Sequence, residues 1–495
     1  MSTSPSPVAD SATPARTYPS LRAAWIPLAA LCLAFFVEMV DNTLLTIALP
    51  TIGRDLQGST TSLQWITGAY SLTFGGLLLT AGSIADRFGR RRVLLIGLTA
   101  FGLMSLAVLA VTTTGELIVL RAGLGIAAAA MAPITNSLVF RLFDDQTLRM
   151  RAMTVMIVVG MSGFILGPVL GGTALTHVGW QWLLLVNAPI ALIALVGVRF
   201  GVAKDDPAGL TDDALDIPGA ALTILAIGLA CYTLTSGVEH GWSSWPTVLS
   251  AVGAVLAVVG FVWRERTAAA PMLDLKLLGL PTVRGATLAQ LGTSMAMIGV
   301  MFSLVLHFQY AYGWSPVVAG LANLPFIVTM LASTPLTEFL VRRYGRRIAC
   351  IIGVGVLIVG LAWLAWAVDH GYLAIAVGMV LMTAGLRTVM TICAVGLVDA
   401  MPENRTSLGA ALNDTAQEVG TSIGAALVGT LIAALVVTTL PLGAWSPELV
   451  ESYFHGEQIA YLVLTVLVGA VALLGAATLD NSHSADEKHA EPVEA

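Results

Sequence analysis

Long apolar runs alternate with short polar segments along almost the whole chain. The runs centre near residues 36, 75, 102, 128, 162, 190, 226, 255, 295, 327, 358, 386, 422 and 467. A run of about 20 apolar residues is long enough for one helix to cross a bilayer. The pattern therefore predicts an all-α, polytopic membrane protein with fourteen membrane-spanning helices.

The two ends of the chain have a different composition. Residues 1–22 are rich in Ser, Pro, Ala and Thr, which predicts a disordered tail. The first apolar run, from about Ala23 to Pro50, is too long for a cleavable signal sequence and contains Glu38 and Asp41. Residues 480–495 are polar and acidic, and we expect a second solvated tail there.

Basic residues fall on one side of the predicted spans. If the N-terminus is cytoplasmic, 21 of the 24 lysines and arginines lie in inward-facing segments. Arg54 lies outside, and Arg121 and Arg387 lie within spans. Because lysine and arginine accumulate on the cytoplasmic side, this distribution predicts that both termini are cytoplasmic.

A glycine- and arginine-rich turn occurs twice. Residues 82–92 read Gly-Ser-Ile-Ala-Asp-Arg-Phe-Gly-Arg-Arg-Arg, and a second copy lies 256 positions later (342 minus 86). In that copy Glu338 and Arg342 replace Gly82 and Asp86. The repeat predicts two related halves. The domains expected are a six-helix half at 23–200, two inserted helices with their loops at 201–282, and a six-helix half at 283–479.

The first copy resembles the G-x-x-x-D-R-x-G-R-R loop of the major facilitator superfamily. Its matching residues are Gly82, Asp86, Arg87, Gly89 and Arg90. The resemblance implies the major facilitator fold and a conformational gate, in which Asp86 braces the closed cytoplasmic side near a helix N-terminus and an arginine. The alternative is a basic loop that only sets the topology.

Two further motifs resemble the same superfamily. Arg121, followed by Leu124 and Gly125, is similar to its R-x-x-Q-G pattern, and a buried arginine requires an acidic partner or a position where it can snorkel to the interface. The segment from Gly163 to Gly172 resembles the antiporter motif G-x-x-x-G-P-x-x-G-G. Its residues are Gly163, Gly167, Pro168, Gly171 and Gly172. The resemblance implies a bend that seals the path, and plain small-residue helix packing is the alternative.

Similarity over residues 25–475 extends to the fourteen-span drug:proton antiporters, the QacA-like multidrug efflux pumps. It includes Asp41-Asn-Thr, Ala48-Leu-Pro, Gly179-Trp-Gln-Trp, Asn187-Ala-Pro and Pro271-Met-Leu-Asp. These matches imply a bacterial cell (inner) membrane protein that exports small molecules.

Four carboxylates in predicted spans carry the expected chemistry. Glu38 and Asp41 are three residues apart, and Asp414 and Glu418 are four apart, so each pair lies on one helix face. A carboxylate held in low dielectric is suited to carry a proton. By resemblance, Asp41 is the acid of span one, and Asp414 and Glu418 recognise the cation. The alternative is that Glu38 or Asp414 only caps a helix or pairs with Arg121 or Arg387.

Two other titratable residues need an explanation. Arg387 in span twelve would repel a cation, so either an acid pairs with it or the substrate has an anionic group; we favour pairing. The other is His307 near the outer end of span nine; histidine is the side chain suited to change its charge at physiological pH, but a lone histidine is more often a packed or hydrogen-bonded residue.

Composition excludes other classes. Apolar residues make up 57% of the chain, charged residues 11%, and the mean hydropathy is +0.85, which excludes a soluble domain. There is no phosphate-binding loop for ATP, no metal or cofactor constellation, and the four cysteines have no paired spacing and are expected to be small core residues. We expect a monomer that binds no nucleic acid and is not an enzyme.

The function predicted is proton-coupled export of lipophilic organic cations and drugs by alternating access. The first alternative is a dedicated exporter of one antibiotic or metabolite, including a zwitterionic or anionic one. The second is a membrane sensor that has kept the fold without transport.

Overall fold

The structure, a computed structural model, describes residues 17–205, 210, 215–268, 271–273, 275–401, 406–436 and 445–480. In this part of the chain the regular elements are eighteen α-helices with short 3₁₀ and π turns. The prediction of an all-α fold is confirmed. All four cysteines are buried, as expected for small core residues.

Ten helices precede residue 268. They are α1 (Trp25–Asp55), α2 (Thr60–Phe88), α3 (Arg90–Ala107), α4 (Thr114–Ala129), α5 (Ala132–Arg141), α6 (Gln146–Leu175), α7 (Trp180–Leu185), α8 (Asn187–Gly201), α9 (Ile217–His240) and α10 (Trp245–Thr267).

Eight helices follow, and a π turn at His307–Ala311 comes directly after the second of them. They are α11 (Leu275–Leu278), α12 (Pro281–Leu306), α13 (Pro316–Leu321), α14 (Leu324–Ala332), α15 (Thr334–Ala367), α16 (Tyr372–Asp399), α17 (Thr406–Leu435) and α18 (Pro447–Thr478).

Twelve helical segments of the described chain are long and apolar enough to cross a membrane, two fewer than the fourteen expected. The apolar run near residue 327 is divided between the short helices α13 and α14, and α15 starts directly afterwards. Pro316, Pro325 and Pro335 lie in the first turns of these three helices. Proline has no backbone N–H to donate to the preceding turn, so the preceding helix ends there and a new helix begins. The run near 162 forms α6, several of whose side chains lie outside the described part.

Large apolar side chains cover the outside of the bundle. Val119, Phe200 and Trp245 are 73%, 75% and 75% exposed, and they lie on three different helices. A helix that is apolar on its outer face as well as its inner face is typical of a membrane span. The protein is therefore a multi-pass membrane protein.

Two glycines make equivalent turns in the two copies of the repeat. Gly89 separates α2 from α3 with φ +98°, and Gly345 interrupts α15 with φ +79°. Only glycine adopts such a backbone readily. The sequence repeat thus corresponds to a repeated backbone geometry.

The two parts of the chain that precede α9 and follow α11 meet along several helices. In the first, α1 packs on α6 and α8, and α2 packs on α4; in the second, α12 packs on α17 and α18, and α15 packs on α16. The helices α2 and α17 form the most extensive contact between these parts.

Helix α9 lies across the line where α2 meets α17, a line that we call the α2–α17 seam. A side-chain carbon at Gly76 of α2 would lie 2.4 Å from Ile224 of α9, so the two helices are in close contact. Gln64 of α2 donates to Thr235 of α9 (2.7 Å), and its amide oxygen accepts from Thr430 of α17 (3.4 Å).

Candidate functional site

A cavity of about 190 Å³ lies inside the bundle, between α1, α2, α12, α14 and α17. Its apolar wall includes Met39, Met297, Met301 and Phe326. Its polar wall includes Asn42, Thr46, Ser71, Gln417 and Glu418. An apolar pocket with a few polar groups is the usual form of a small-molecule site.

Asp41 and Arg121 form a buried ion pair beside this cavity. Both side chains are enclosed, with exposed fractions of 2% and 0%. Asn187 of α8 donates to the other oxygen of Asp41 at 2.7 Å. Arg121 also donates to the carbonyl oxygen of Ile66 (3.3 Å) and lies 4.4 Å from the ring centre of Tyr70. Arg121 thus has the acidic partner that its position in a span requires.

Glu38 is one helical turn before Asp41 and is 3% exposed. It interacts electrostatically with Glu418, Asp414 and Asp41. Its Oε2 atom is buried and has no hydrogen-bond partner among the described residues. The structure therefore brings the two predicted acid pairs, on α1 and α17, into one region.

Glu418 and Asp414 have different surroundings on α17. Glu418 lines the cavity and its carboxylate is hydrogen-bonded to Ser71 of α2. Its Cβ packs against Gly75, where an added Cβ would approach to 2.7 Å. Asp414 is half-buried and accepts from the side chain of Asn413 at 3.1 Å. Of the two, only Glu418 is among the cavity-lining residues.

Arg387 is half-buried on α16. We expected an acid to pair with it, but within the described residues it forms no ion pair, and its buried Nε has no hydrogen-bond partner. The two span arginines therefore differ, because Arg121 has an acidic partner and Arg387 has none in the part of the chain that the structure describes.

Two carboxylates hold the loop at Gly82–Arg92, and the first, Asp86, pairs with an arginine as expected. Asp86 accepts from Arg90 at 2.8 Å, and Arg90 also contacts Ser137 of α5. The N-terminus of α3 is held by Asp205, which follows α8 and accepts from the backbone N–H groups of Arg91 (3.0 Å) and Arg92 (3.1 Å). Asp205, not Asp86, is the carboxylate at the helix N-terminus.

The glycines of this loop also differ in their roles. An added Cβ at Gly89 would lie 2.4 Å from Asp205, whereas one at Gly82 would meet nothing within 4 Å. The ring of Phe88 lies 5.8 Å from the guanidinium carbon of Arg87. At position 89, the positive φ angle and the lack of room for a side chain therefore require glycine. At position 82, packing does not require glycine in this conformation.

The glycines of α6 lie against α1. Added Cβ atoms would meet Val40 at Gly163 (3.0 Å), Thr43 at Gly167 (2.1 Å) and Leu44 at Gly171 (2.7 Å). At Gly172 the nearest atom is the carbonyl oxygen of Pro316 in α13 (2.5 Å). Pro168 belongs to the helix, and its side chain lies outside the described part. The motif brings α1 and α13 close to α6.

Sequence patterns do not single out three of the functional candidates. Asn187 is part of the Asn-Ala-Pro segment but has no predicted role of its own, and Asp205 lies in a loop with no motif. Glu457 of α18 is fully buried and is paired with His307. Glu457 is the last of the acids in α18 and directly precedes its uncharged part, which was the available signal.

A bundle of membrane-crossing helices with an internal cavity and enclosed carboxylates has the architecture of a small-molecule transporter. The sequence profile of the Major Facilitator Superfamily matches residues 31–425 and, in a second match, residues 285–491. The chain belongs to this superfamily, and it is a transporter, not an enzyme.

Curated relatives cover nearly the whole chain. The cephamycin export protein CmcT of Amycolatopsis lactamdurans is 31% identical over 454 residues, which is 90% of this chain and 92% of that protein. The multidrug efflux pump LfrA of Mycolicibacterium smegmatis is 33% identical and covers 85% of this chain and 83% of its own length. The puromycin resistance protein pur8 of Streptomyces alboniger is 31% identical, with 94% and 93% covered.

Solved structures share the fold. A bacterial homologue of the human lysosomal transporter Spinster, in an inward-facing and unoccupied conformation, aligns with a TM-score of 0.64 at 17% identity, covering 92% of this chain and 97% of that one. A D-xylose–proton symporter aligns with a TM-score of 0.64 at 13% identity, covering 92% and 98%.

Proposed function

We propose that this transporter exports lipophilic organic cations and drugs in exchange for protons, by alternating access. The observation that carries the proposal is that Glu418 lines an apolar cavity and interacts electrostatically with the buried Glu38. Among the described residues neither forms an ion pair with a basic side chain. A carboxylate without a cationic partner in low dielectric favours either a proton or a cationic ligand.

The exchange of cargo for protons follows because a proton and an organic cation compete for the same two carboxylates. When Glu38 and Glu418 are ionised, their mutual repulsion is relieved by an organic cation in the cavity, whose apolar part contacts Met297, Met301 and Phe326. When protons neutralise the two acids, the attraction for the cation is lost. Asp41 is already compensated by Arg121, so we assign it the role of holding α1, α4 and α8 in register.

The relatives support drug export. They include proteins named for multidrug efflux and for puromycin resistance. The methyl viologen resistance protein SmvA of Salmonella typhimurium is 29% identical over 449 residues, and methyl viologen is an organic dication. A small cavity with methionine and acidic side chains is compatible with such cargo.

We propose fourteen spans in the six, two, six plan, with domains at 23–200, 201–282 and 283–479. In α6, residues 152–175 carry no charged side chain, and at about 1.5 Å per residue this length exceeds a hydrocarbon core of about 30 Å. The helices α13, α14 and the start of α15 run in succession from Pro316 to Gly345, and together are long enough for the tenth span.

We further propose that both termini are cytoplasmic, in the inner membrane of a bacterial cell. The end of the bundle that contains Pro50 and Tyr310 is then the outer end. Tyr310 donates to the carbonyl oxygen of Pro50 (2.8 Å), and Gln309 donates to that of Ile47 (3.0 Å). These contacts join the two halves, so the conformation is one in which the outer end is closed.

Purified protein in liposomes tests the function. An imposed proton gradient is expected to drive ethidium export, and Glu38→Gln and Glu418→Gln are expected to abolish it. Glu451→Gln, a change to an exposed acid at the start of α18, is the matched control and should export normally. Ethidium export that does not respond to the proton gradient would contradict the proposal.

Arg387 favours a second candidate, a dedicated exporter of a zwitterionic or anionic compound. A half-buried guanidinium group without an acidic partner in the described chain can bind a carboxylate or phosphate. In this case Arg387→Ala abolishes export of the anionic compound, whereas cation export by the first mechanism survives this change. A protein that moves neither protons nor any cargo would instead be a sensor.

A further inference from the structure

A second buried polar cluster lies at the outer end of the second half and does not line the cavity. Glu457 of α18 and His307 of the π turn are both 0% exposed, and Nδ1 of His307 is 2.5 Å from Oε2 of Glu457. The hydroxyl groups of Ser303 (2.7 Å) and Tyr461 (2.8 Å) donate to Oε1. The proposed exchange of cargo and protons uses none of these residues.

The surroundings of this pair contain few other charges. The titratable groups that face it are the phenols of Tyr312, Tyr453 and Tyr461, and Asp369 interacts with Tyr312 from the end of α15. In the described part of the chain, α12, α15 and α17 pack against α18. Of these, α12 is uncharged from Gly285 to Leu306, α15 from Ile348 to Ala367, and α17 from Val419 to Leu435. Arg54 lies on the other side of the turn, over Tyr310. The acids and the histidine at the start of α18, Glu448, Glu451 and His455, are exposed.

A buried acid and base with no further compensating charge are most stable when their sum is neutral. That sum requires one proton for the pair, whether His307 or Glu457 holds it. Nε2 of His307 is also buried and has no hydrogen-bond partner in the described residues, so this atom is the position from which the pair can exchange its proton when water reaches it.

The pair is mechanically connected to the contact between the two halves. His307 is the first residue of the π turn, and π turns are frequent at functional sites. Gln309 and Tyr310 of the same turn make the two hydrogen bonds to α1 that close the outer end. The ring of Tyr312 lies 4.4 Å from that of His307, edge to face. A change in charge at His307 therefore acts on the segment that holds the halves together.

We propose that Glu457 and His307 form a proton-sensing site, distinct from the cargo site, that favours the closed outer end when the pair holds one proton. The proposal rests on the alternating access proposed above. The proton comes from the outer side and returns to it when the outer end opens, so the site controls the conformational change without carrying protons across.

The direction of the pH effect follows from the charge. When the outer end opens, water reaches the pair and hydrates its charges, so the open pair can lose its proton at less cost than the enclosed pair. Closure then takes up one proton wherever the open pair has lost its own. The ratio of closed to open molecules is therefore expected to fall as the pH rises, by up to about tenfold for each pH unit.

Distance measurements test this site. Spin labels at Gln57→Cys, after α1, and Glu448→Cys, at the start of α18, report on the outer end, because Trp445 beside Glu448 stacks on Tyr310 at 5.1 Å. In lipid nanodiscs the short-distance population should fall as the pH rises from 6.5 to 8.5. Glu457→Gln and His307→Gln should each remove most of this dependence, and Glu451→Gln should keep it.

An unchanged pH profile in Glu457→Gln overturns the proposal, and if that variant does not fold, an unchanged profile in His307→Gln does so. Failure of the proposed export function can be distinguished from failure of the proposed proton-sensing site. Glu418→Gln is expected to lose export and keep the pH-dependent distances. If the wild-type protein exports no cation but its distances still depend on pH through Glu457, the sensing site stands and the cargo assignment is wrong.

Discussion

Arg121 in α4 forms an enclosed ion pair with Asp41 in α1, and the same guanidinium group lies over the ring of Tyr70 in α2. One side chain thus links α1, α2 and α4. Removing one partner of a buried pair leaves an uncompensated charge, which is far more costly than the pair itself is worth.

Asp41→Ala is therefore expected to destabilise the protein by about 3–5 kcal/mol. The double variant Asp41→Asn/Arg121→Gln should recover a large part of this loss, because no buried charge remains unpaired. Thermal unfolding in detergent measures both. Equal unfolding temperatures for the wild type and Asp41→Ala would show that the pair has no role in stability.

Gly89→Ala is expected to reduce export and stability, because alanine has to adopt a left-handed backbone at a cost of about 1–2 kcal/mol and its Cβ meets Asp205. Gly82→Ala is the matched control, since a Cβ there meets nothing within 4 Å. Ethidium transport and thermal unfolding distinguish them. If Gly82→Ala is the more harmful change, Gly82 acts in a conformation other than this one.

Asp205→Ala is expected to lower the stability by about 0.5–2 kcal/mol, since two backbone N–H groups at the start of α3 lose their acceptor. Asp86→Ala should cost about 0–1 kcal/mol, because Asp86 is 43% exposed and its pair with Arg90 is partly screened. Chemical or thermal unfolding of the two variants in parallel shows which of them loses more stability. A larger loss of stability in Asp86→Ala than in Asp205→Ala would show that Asp86 is the more important of the two carboxylates for holding this loop.

Gly167→Leu is expected to push α6 away from α1, because an added Cβ would already lie 2.1 Å from Thr43. Overpacking of this kind typically costs about 1–3 kcal/mol. Gly355→Leu in α15 is the control, as nothing lies within 4 Å of a Cβ there. Similar export by the two variants would mean that the glycines of α6 are not needed for close packing.

The periodicity of the sequence predicted most of the fold for a physical reason. A bilayer requires apolar segments of fixed minimum length, so the positions of the runs fix the positions of helices such as α1 and α18. The periodicity did not predict the interruptions between residues 316 and 344, where the prolines that start α13, α14 and α15 divide one apolar run. Apolarity alone does not record such interruptions.

The site was predictable only where both members of a contact lie on one helix. Glu38 with Asp41, and Asp414 with Glu418, have a spacing that is visible in the sequence. Glu457 was missed because its partner His307 is 150 positions away, and Asp205 was missed because it caps α3 from 114 positions away. Contacts between distant elements depend on the packing, which no local pattern records.

Helix α9 covers the α2–α17 seam, and Gln64, Thr235 and Thr430 join the three helices there. A two-part membrane protein that rocks has two lateral openings to the lipid, one on each side of its central axis. With the alternating access proposed above, α9 obstructs one of them, because it contacts both α2 and α17. On the same proposal, a hydrophobic compound dissolved in the bilayer enters from the opposite flank, where α6 packs on α13.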